Sequence, residues 1–162
     1  MKKYEFTGET KRVNGRTLHR IRALTSFGSI KAGQLGGWIE KEENLADEGD
    51  AWVYGDAKVF GDAKVYDDAK VYGDAKVYDN AVVCKTNHYL VIGSIGSRLS
   101  FTTFYRDKNN DISVKCGCFN GTIDEFEKKV KETHKDGKHA KVYLLAVEMA
   151  KVQIELEDDN ES

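Results

Sequence analysis

Residues 49–84 repeat a six-residue unit without an insertion: GDAWVY, GDAKVF, GDAKVY, DDAKVY, GDAKVY, DNAVVC. A strict period of six fits neither the 3.6-residue α-helix nor the heptad of a coiled coil, so the repeat excludes both helical readings at once. Ala holds the third position of every unit (Ala51, Ala57, Ala63, Ala69, Ala75, Ala81) and Val the fifth (Val53, Val59, Val65, Val71, Val77, Val83). Two apolar residues separated by one residue face the same way along an extended segment, which predicts a short strand in each unit. The Gly-Asp pair that opens most units supplies turn chemistry between strands. Val and Ala are then expected inside, and Lys58, Lys64, Lys70 and Lys76 outside. Apolar columns that never slip also argue against a flexible, solvated tract.

These hexads resemble the hexapeptide repeats of left-handed parallel β-helices, in which an aliphatic residue and a small residue four positions later line a triangular core. Val53 followed by Ala57 fits that pattern, and so does every later pair. The resemblance implies three hexads per coil, with coils stacked at roughly 4.8 Å. GWIEKE and ENLADE align as worn copies of the unit, with Leu45 in the Ala column, so the β-helix is expected over residues 35–84. The order LGGWIEKEENL followed by VYGDA-type units also resembles a family of small phage- and prophage-encoded hexapeptide-repeat proteins, over roughly residues 33–84.

Three hexads per coil would stack Tyr54 near Tyr72 and Phe60 near Tyr78. With Tyr66, these aromatics are expected to form outward stripes, and contiguous exposed apolar surface marks an interface. Tyr54, Phe60, Tyr66, Tyr72 and Tyr78 are therefore the candidate oligomer interface. The resemblance implies a homotrimer.

The rest of the chain divides around the repeat. Residues 1–34 carry a hairpin signal at Asn14-Gly15 and are expected to cap the β-helix. His19 is expected at the surface. Residues 86–156 lose the period and read as a βββαα domain: strands in NHYLVIGSI, SFTTFYR and ISVKCGCF, then a helix begun by Thr122 and Glu125 as a capping box, then a second helix from about Lys138. Residues 157–162 read as a disordered acidic tail. The expected fold class is mainly β plus α+β, a short left-handed β-helix with a hairpin cap and a C-terminal α+β domain.

Composition narrows the function classes. The 162 residues carry 25 basic and 27 acidic side chains, a net charge of -2, without the basic excess of broad nucleic-acid binding. No apolar run approaches the roughly 18 residues of a membrane span, and MKKYEFTGE lacks the apolar core of a secretory signal. A cytoplasmic location is expected, the host cytosol if the chain is phage-encoded. Three cysteines suggest reduced thiols.

The second module also resembles a segment attached to varied phage proteins, with IGSR at 95–98, an aromatic and Thr-rich strand at 101–105, and CGCF-G-T at 116–122, followed by His134 and His139. The Gly-Ser-rich turn before Arg98 suits an anion, although it lacks the Lys-Ser/Thr ending of a P-loop. A plain strand-to-strand turn is the other reading. The candidate ligand site is Ser97, Arg98, Thr102, Phe104, Arg106, Lys115, Phe119, Gly121 and Thr122, where the IGSR turn, the CGCF strand and the N-terminus of the first helix converge. Arg106, Lys115, Phe104 and Phe119 are expected on one face, and Cys116 and Cys118 opposite Lys115 and Phe119. The basic hairpin at Arg12, Arg16 and Arg20 is the reserve site.

Cys116, Cys118, His134 and His139 offer ligand types, but Cys-x-Cys is not the usual zinc spacing, and no third group orients a Cys-His nucleophile pair. No metal, cofactor or catalytic residue is expected. Many hexapeptide-repeat proteins are trimeric acyl-coenzyme A transferases with a His base, yet the hexads here contain no His and no protruding loop. The sequence thus leads to a non-catalytic oligomeric protein that sequesters a small nucleotide-like anion such as a host immune signal, an anti-defence sponge. The alternative is a phage interaction or inhibitor scaffold that docks on a host protein, and a hexapeptide-repeat acyltransferase is the third and weakest reading.

Overall fold

Asn14 and Gly15 take positive φ, 51° and 77°, and close a tight hairpin between β1 (Tyr4–Val13) and β2 (Arg16–Ala23). Such a turn needs two left-handed residues, which Asn and Gly tolerate best. The computed structural model describes residues 2–157, so the expected acidic tail lies, apart from Glu157, outside the described residues. The chain splits into two units, the first ending at Thr86 and the second beginning at Asn87.

In the first unit β2 pairs antiparallel with β3 (Leu35–Ile39), and six two-residue strands follow: β4 (Trp52–Val53), β5 (Lys58–Val59), β6 (Lys64–Val65), β7 (Lys70–Val71), β8 (Lys76–Val77) and β9 (Val82–Val83). Each hexad pairs in parallel with the hexad three units on: Val53 with Val71, Val59 with Val77, Val65 with Val83. Every Ala and Val of the two columns is at most 1% exposed. Burial contributes about 1.5 to 3 kcal/mol for each Val before ordering costs.

One expectation changes. Leu45 bridges to Val65 and Ile39 pairs with Val59, so Leu45 stands in the Val column and not in the Ala column. The offset is 20 residues from Ile39 to Val59 but 18 from Val53 to Val71, so the first turn holds two extra residues that the alignment hid. The hairpin extends the β3-β5-β8 ladder beyond β3, in a five-stranded sheet of order β1-β2-β3-β5-β8, and Lys3 and Tyr4 donate to the Gly49, Ala51, Glu42 and Leu45 carbonyls of the first turn.

That placement decides the fate of the aromatic stripes. Tyr54 stacks on Tyr72 and Phe60 on Tyr78, both with ring centroids 4.4 Å apart. Phe60, however, is fully buried with Leu18 and Trp38, with Val13 and Tyr78 packed beside them, and the Arg16 guanidinium lies 5.3 Å from the Tyr78 ring. The chain's own hairpin therefore covers the Phe60–Tyr78 stripe, which withdraws Phe60 from the candidate interface. Tyr72 stays 44% exposed, and Tyr54 and Tyr66 are half-buried. His19, expected at the surface, is half-buried and stacks on Phe6 at 4.4 Å.

The second unit is an antiparallel four-stranded sheet in sequential order, β10 (Tyr89–Ile95), β11 (Ser100–Arg106), β12 (Ile112–Cys116) and β13 (Phe119–Thr122), followed by α1 (Ile123–His134) and α2 (Lys138–Gln153). Three strands were expected. The CGCF segment is not one strand but a hairpin turning at Gly117 and Cys118, with Cys116 paired to Phe119, and this makes the fourth. Thr122 accepts from the Glu125 amide at 3.2 Å while the Glu125 carboxylate accepts from the Thr122 amide, which starts α1 where the capping box predicts. Ile123, Phe126 and Val130 of α1 and Ala140, Tyr143, Val147 and Ala150 of α2 bury against Phe104, Ile112 and Val114. The architecture is mainly β plus α+β.

Candidate functional site

In the second unit two hairpin turns and two helices line an open cavity of about 290 Å³. The β10–β11 turn supplies Ser97, Arg98 and Ser100. The β12–β13 turn supplies Cys116, Gly117, Cys118 and Phe119. Helix α1 adds Phe126, Lys129, Val130, Thr133 and His134, and α2 adds Tyr143. The lining holds two permanent cations, Arg98 and Lys129, and no carboxylate. Its floor is apolar and aromatic, with Phe119 against Phe126 at 5.4 Å and Tyr143 edge-on to Phe126 at 5.6 Å.

The IGSR segment forms a strand-to-strand turn. Its residues run through the end of β10 into a hairpin turn, in which the Leu99 amide donates to the Gly96 carbonyl at 3.1 Å and Ile95 pairs with Ser100. Gly96 has φ +82°, and a Cβ there would fall onto the Tyr143 hydroxyl. Glycine is thus required on two counts, the backbone conformation and the phenol beneath it. Arg98, at the tip, is exposed.

Cys116 carries the cavity's half-buried thiol. The Thr102 hydroxyl donates to its sulfur at 3.2 Å, and its own S–H points to the Tyr143 oxygen at 4.0 Å. Burial first, and then Cys116, pushes the Tyr143 phenol up to about 12, with Arg98 acting the other way. A phenol held protonated in this way is a hydrogen-bond donor at neutral pH. The His134 ring stacks on Tyr143 at 5.7 Å, and His139 meets His134 edge-on at 5.5 Å.

Of the residues singled out in the sequence, Ser97, Arg98 and Phe119 line the cavity. Thr102 is buried behind it and acts on Cys116. Phe104 is fully buried under the helices, edge-on to Phe126, and is no ligand platform. Lys115 pairs with Thr103, whereas Phe104 pairs with Val114, so Lys115 and Phe104 occupy opposite faces of the sheet. Lys115 instead donates to the Gly117 carbonyl at 2.7 Å. Arg106 is 7% exposed and lies 3.9 Å from Glu157. Gly121 and Thr122 sit at the start of α1, and the cavity is lined by the helix's later turns. The hairpin at Gly117 explains this shift, because β13 runs back to Ser113 before the helix starts. It also places Phe119 on the face of Cys116, where the one-strand reading had put them on opposite faces.

Lys129, Thr133 and Tyr143 were missed. A signal existed: Phe126, Lys129, Val130, Thr133 and His134 follow i, i+3, i+4, i+7, i+8, a single helix face with polar residues set into an apolar stripe. Of the reserve site on the hairpin, Arg12 stays exposed and donates to the Thr17 hydroxyl at 3.2 Å, while Arg16 and Arg20 are engaged internally. Arg16 donates to both Glu40 oxygens, at 2.9 and 3.2 Å, and Arg20 donates to the Gly36 carbonyl at 3.2 Å.

No family model matches this chain. A stretch of 51 residues is 41% identical to a protein of Escherichia coli (strain K12) named uncharacterized acetyltransferase YdcK. The match takes in 32% of this chain, and the chain spans only 15% of the length of that relative. This similarity overturns the expectation of a non-catalytic sequestering protein, and the nucleotide-sponge and anti-defence reading goes with it. The sequence reading excludes catalysis on hexads without His or a protruding loop and on a Cys-His pair without a third orienting group, and the similarity overturns that exclusion. No helix among the described residues is long and apolar enough to cross a membrane.

Proposed function

We propose that this protein takes part in acyl transfer, with the first unit as an oligomerising scaffold and the cavity of the second unit as the binding place for an anionic acyl donor. The observation that carries the reading is the lining itself: Arg98 and Lys129 without a carboxylate, above a floor of Phe119, Phe126 and Tyr143, with a thiol and an imidazole in the same wall. Two cations attract phosphate or carboxylate, and an aromatic floor accepts the apolar part of the same molecule. The named acetyltransferase points to an acyl group as the transferred part. The parallel pairing three hexads apart supports a left-handed β-helix for residues 35–84, and proteins built on such coils commonly assemble as trimers.

The reading is tested by incubating the full chain with acetyl-coenzyme A, a thioester carrying phosphates, in the presence of small amine and hydroxyl acceptors. Release of free thiol above the buffer rate is expected. Arg98→Ala removes a charge-assisted hydrogen bond and should raise KM by about ten- to a hundredfold. Thiol release no faster than in buffer with every acceptor would overturn the reading.

A further inference from the structure

Within the proposed acyl-transfer reading, on which this inference rests, the geometry points to Cys116 as the residue that carries the acyl group covalently between donor and acceptor. Cys116 and Cys118 both line the cavity, and two features single out Cys116. A buried neighbour, Thr102, 0% exposed, aims its hydroxyl at the Cys116 sulfur from 3.2 Å. A hydroxyl held at that sulfur fixes its position in the lining and can stay hydrogen-bonded to it through the attack. Tyr143 stands on the sulfur's other side, its oxygen 4.0 Å away. Cys118 lies at an exposed hairpin tip, and Cys84 belongs to the first unit.

The step balances as thioester exchange. The Cys116 sulfur attacks the donor's carbonyl carbon, and a new S–C bond forms. The developing oxyanion sits beside the Tyr143 O–H, which is protonated at neutral pH and can donate to it. When the carbonyl re-forms, the donor's own S–C bond breaks, and the leaving sulfur takes the proton that Cys116 gave up. His134, in the same wall, is the group placed to carry that proton. No oxidant or reductant is consumed. A second attack by an amine or hydroxyl then frees Cys116.

The test uses the full chain with two donors, acetyl-coenzyme A and an acetyl thioester of N-acetylcysteamine, which lacks phosphates. After a short incubation, intact-mass and peptide mass spectrometry should find one acetyl group, on the peptide bearing Cys116. Cys118→Ser should keep that label, and Cys116→Ser should lose both the label and multiple-turnover thiol release. Thr102→Val should slow labelling about tenfold and Thr102→Ser should restore it, a rescue that loss of packing alone would not produce. Arg98→Ala should slow labelling by the coenzyme more than labelling by the phosphate-free thioester. Turnover in Cys116→Ser equal to that of the parent would overturn the covalent step and leave the acyl-transfer reading standing. Label on Cys118 or Cys84 at the rate of Cys116 would overturn the assignment as simple chemical acetylation. No label and no turnover with either donor would overturn both.

Discussion

Asn44 shows how one polar side chain can hold the first turn of the repeat unit. It is fully buried, yet its oxygen accepts from the Glu40 and Lys41 amides at 3.1 and 2.8 Å, and its nitrogen donates to the Gly61 and Ala63 carbonyls at 3.1 and 2.9 Å. All four capacities of the amide are used, so burial carries no desolvation debt. Asn44→Ala strands four backbone groups and should cost about 2 to 4 kcal/mol, read as a lower midpoint in urea unfolding. Asn44→Asp should also destabilise, because a second carboxylate oxygen would face the two carbonyls. In the second unit Tyr143 makes a pH prediction. Its phenol ordinarily ionises near 10 and is raised to about 12, so folding favours the protonated form. The stability it contributes is complete below pH 10 and is lost as pH rises from 10 through 12. Tyr143→Phe should flatten that alkaline loss, on the order of 2 kcal/mol, in unfolding curves taken between pH 9 and 12. A slope unchanged by the substitution would contradict the burial argument.

At the scale of elements, β3 sets the geometry of the first unit because two glycines let it lie close to the coil. A Cβ on Gly37 would stand 2.6 Å from the Ala57 carbonyl oxygen and 2.7 Å from a Val53 methyl, and one on Gly36 would meet Trp52 at 2.6 Å. Backbone cannot yield as a flexible side chain can, so Gly37→Ala should destabilise by about 2 kcal/mol or more. Thermal unfolding is the check, and a melting point within a degree or two of the parent would refute the close-packing account. Trp52 takes a position that Lys holds in most other hexads, and it is buried because Tyr4 and Phe27 close over it, with centroids 6.4 and 5.4 Å away. Lys3 reaches the same region, donating to the Ala51 carbonyl at 2.7 Å, and burial lowers its pKa. The hairpin is thereby tied to the coil at both ends, since the Glu40 carboxylate that binds Arg16 also accepts from the Gly61 amide at 2.8 Å. Element types were legible from local patterns. The β12–β13 hairpin was not, because Gly117 and Cys118 lack a strong turn dipeptide and the flanking apolar residues read straight through.

For the whole molecule, each unit has its own core, one built from two columns of Ala and Val and the other from a sheet packed under two helices. The assembly prediction rests on the first unit. Trimer formation is expected through the surface that keeps the Tyr54–Tyr72 stack, with Tyr72 44% exposed, and not through the covered Phe60–Tyr78 stack. Light scattering should give three times the chain mass at micromolar concentration, and Tyr72→Glu should lower it while Tyr78→Phe should not. A monomer for the parent protein would refute the assembly. Local sequence alone determined the short strand in each hexad, the inward Val and Ala, and the start of α1, because a period and a cap are properties of neighbouring residues, whereas the pairing three hexads apart was implied only by the resemblance to left-handed β-helices. Tertiary structure alone decided which stripe the hairpin covers, which sheet face Phe104 and Lys115 occupy, and that Cys116, His134 and Tyr143 share one wall. Those outcomes depend on the two extra residues in the first turn and on strand register, where a slip of one residue turns every side chain to the opposite face.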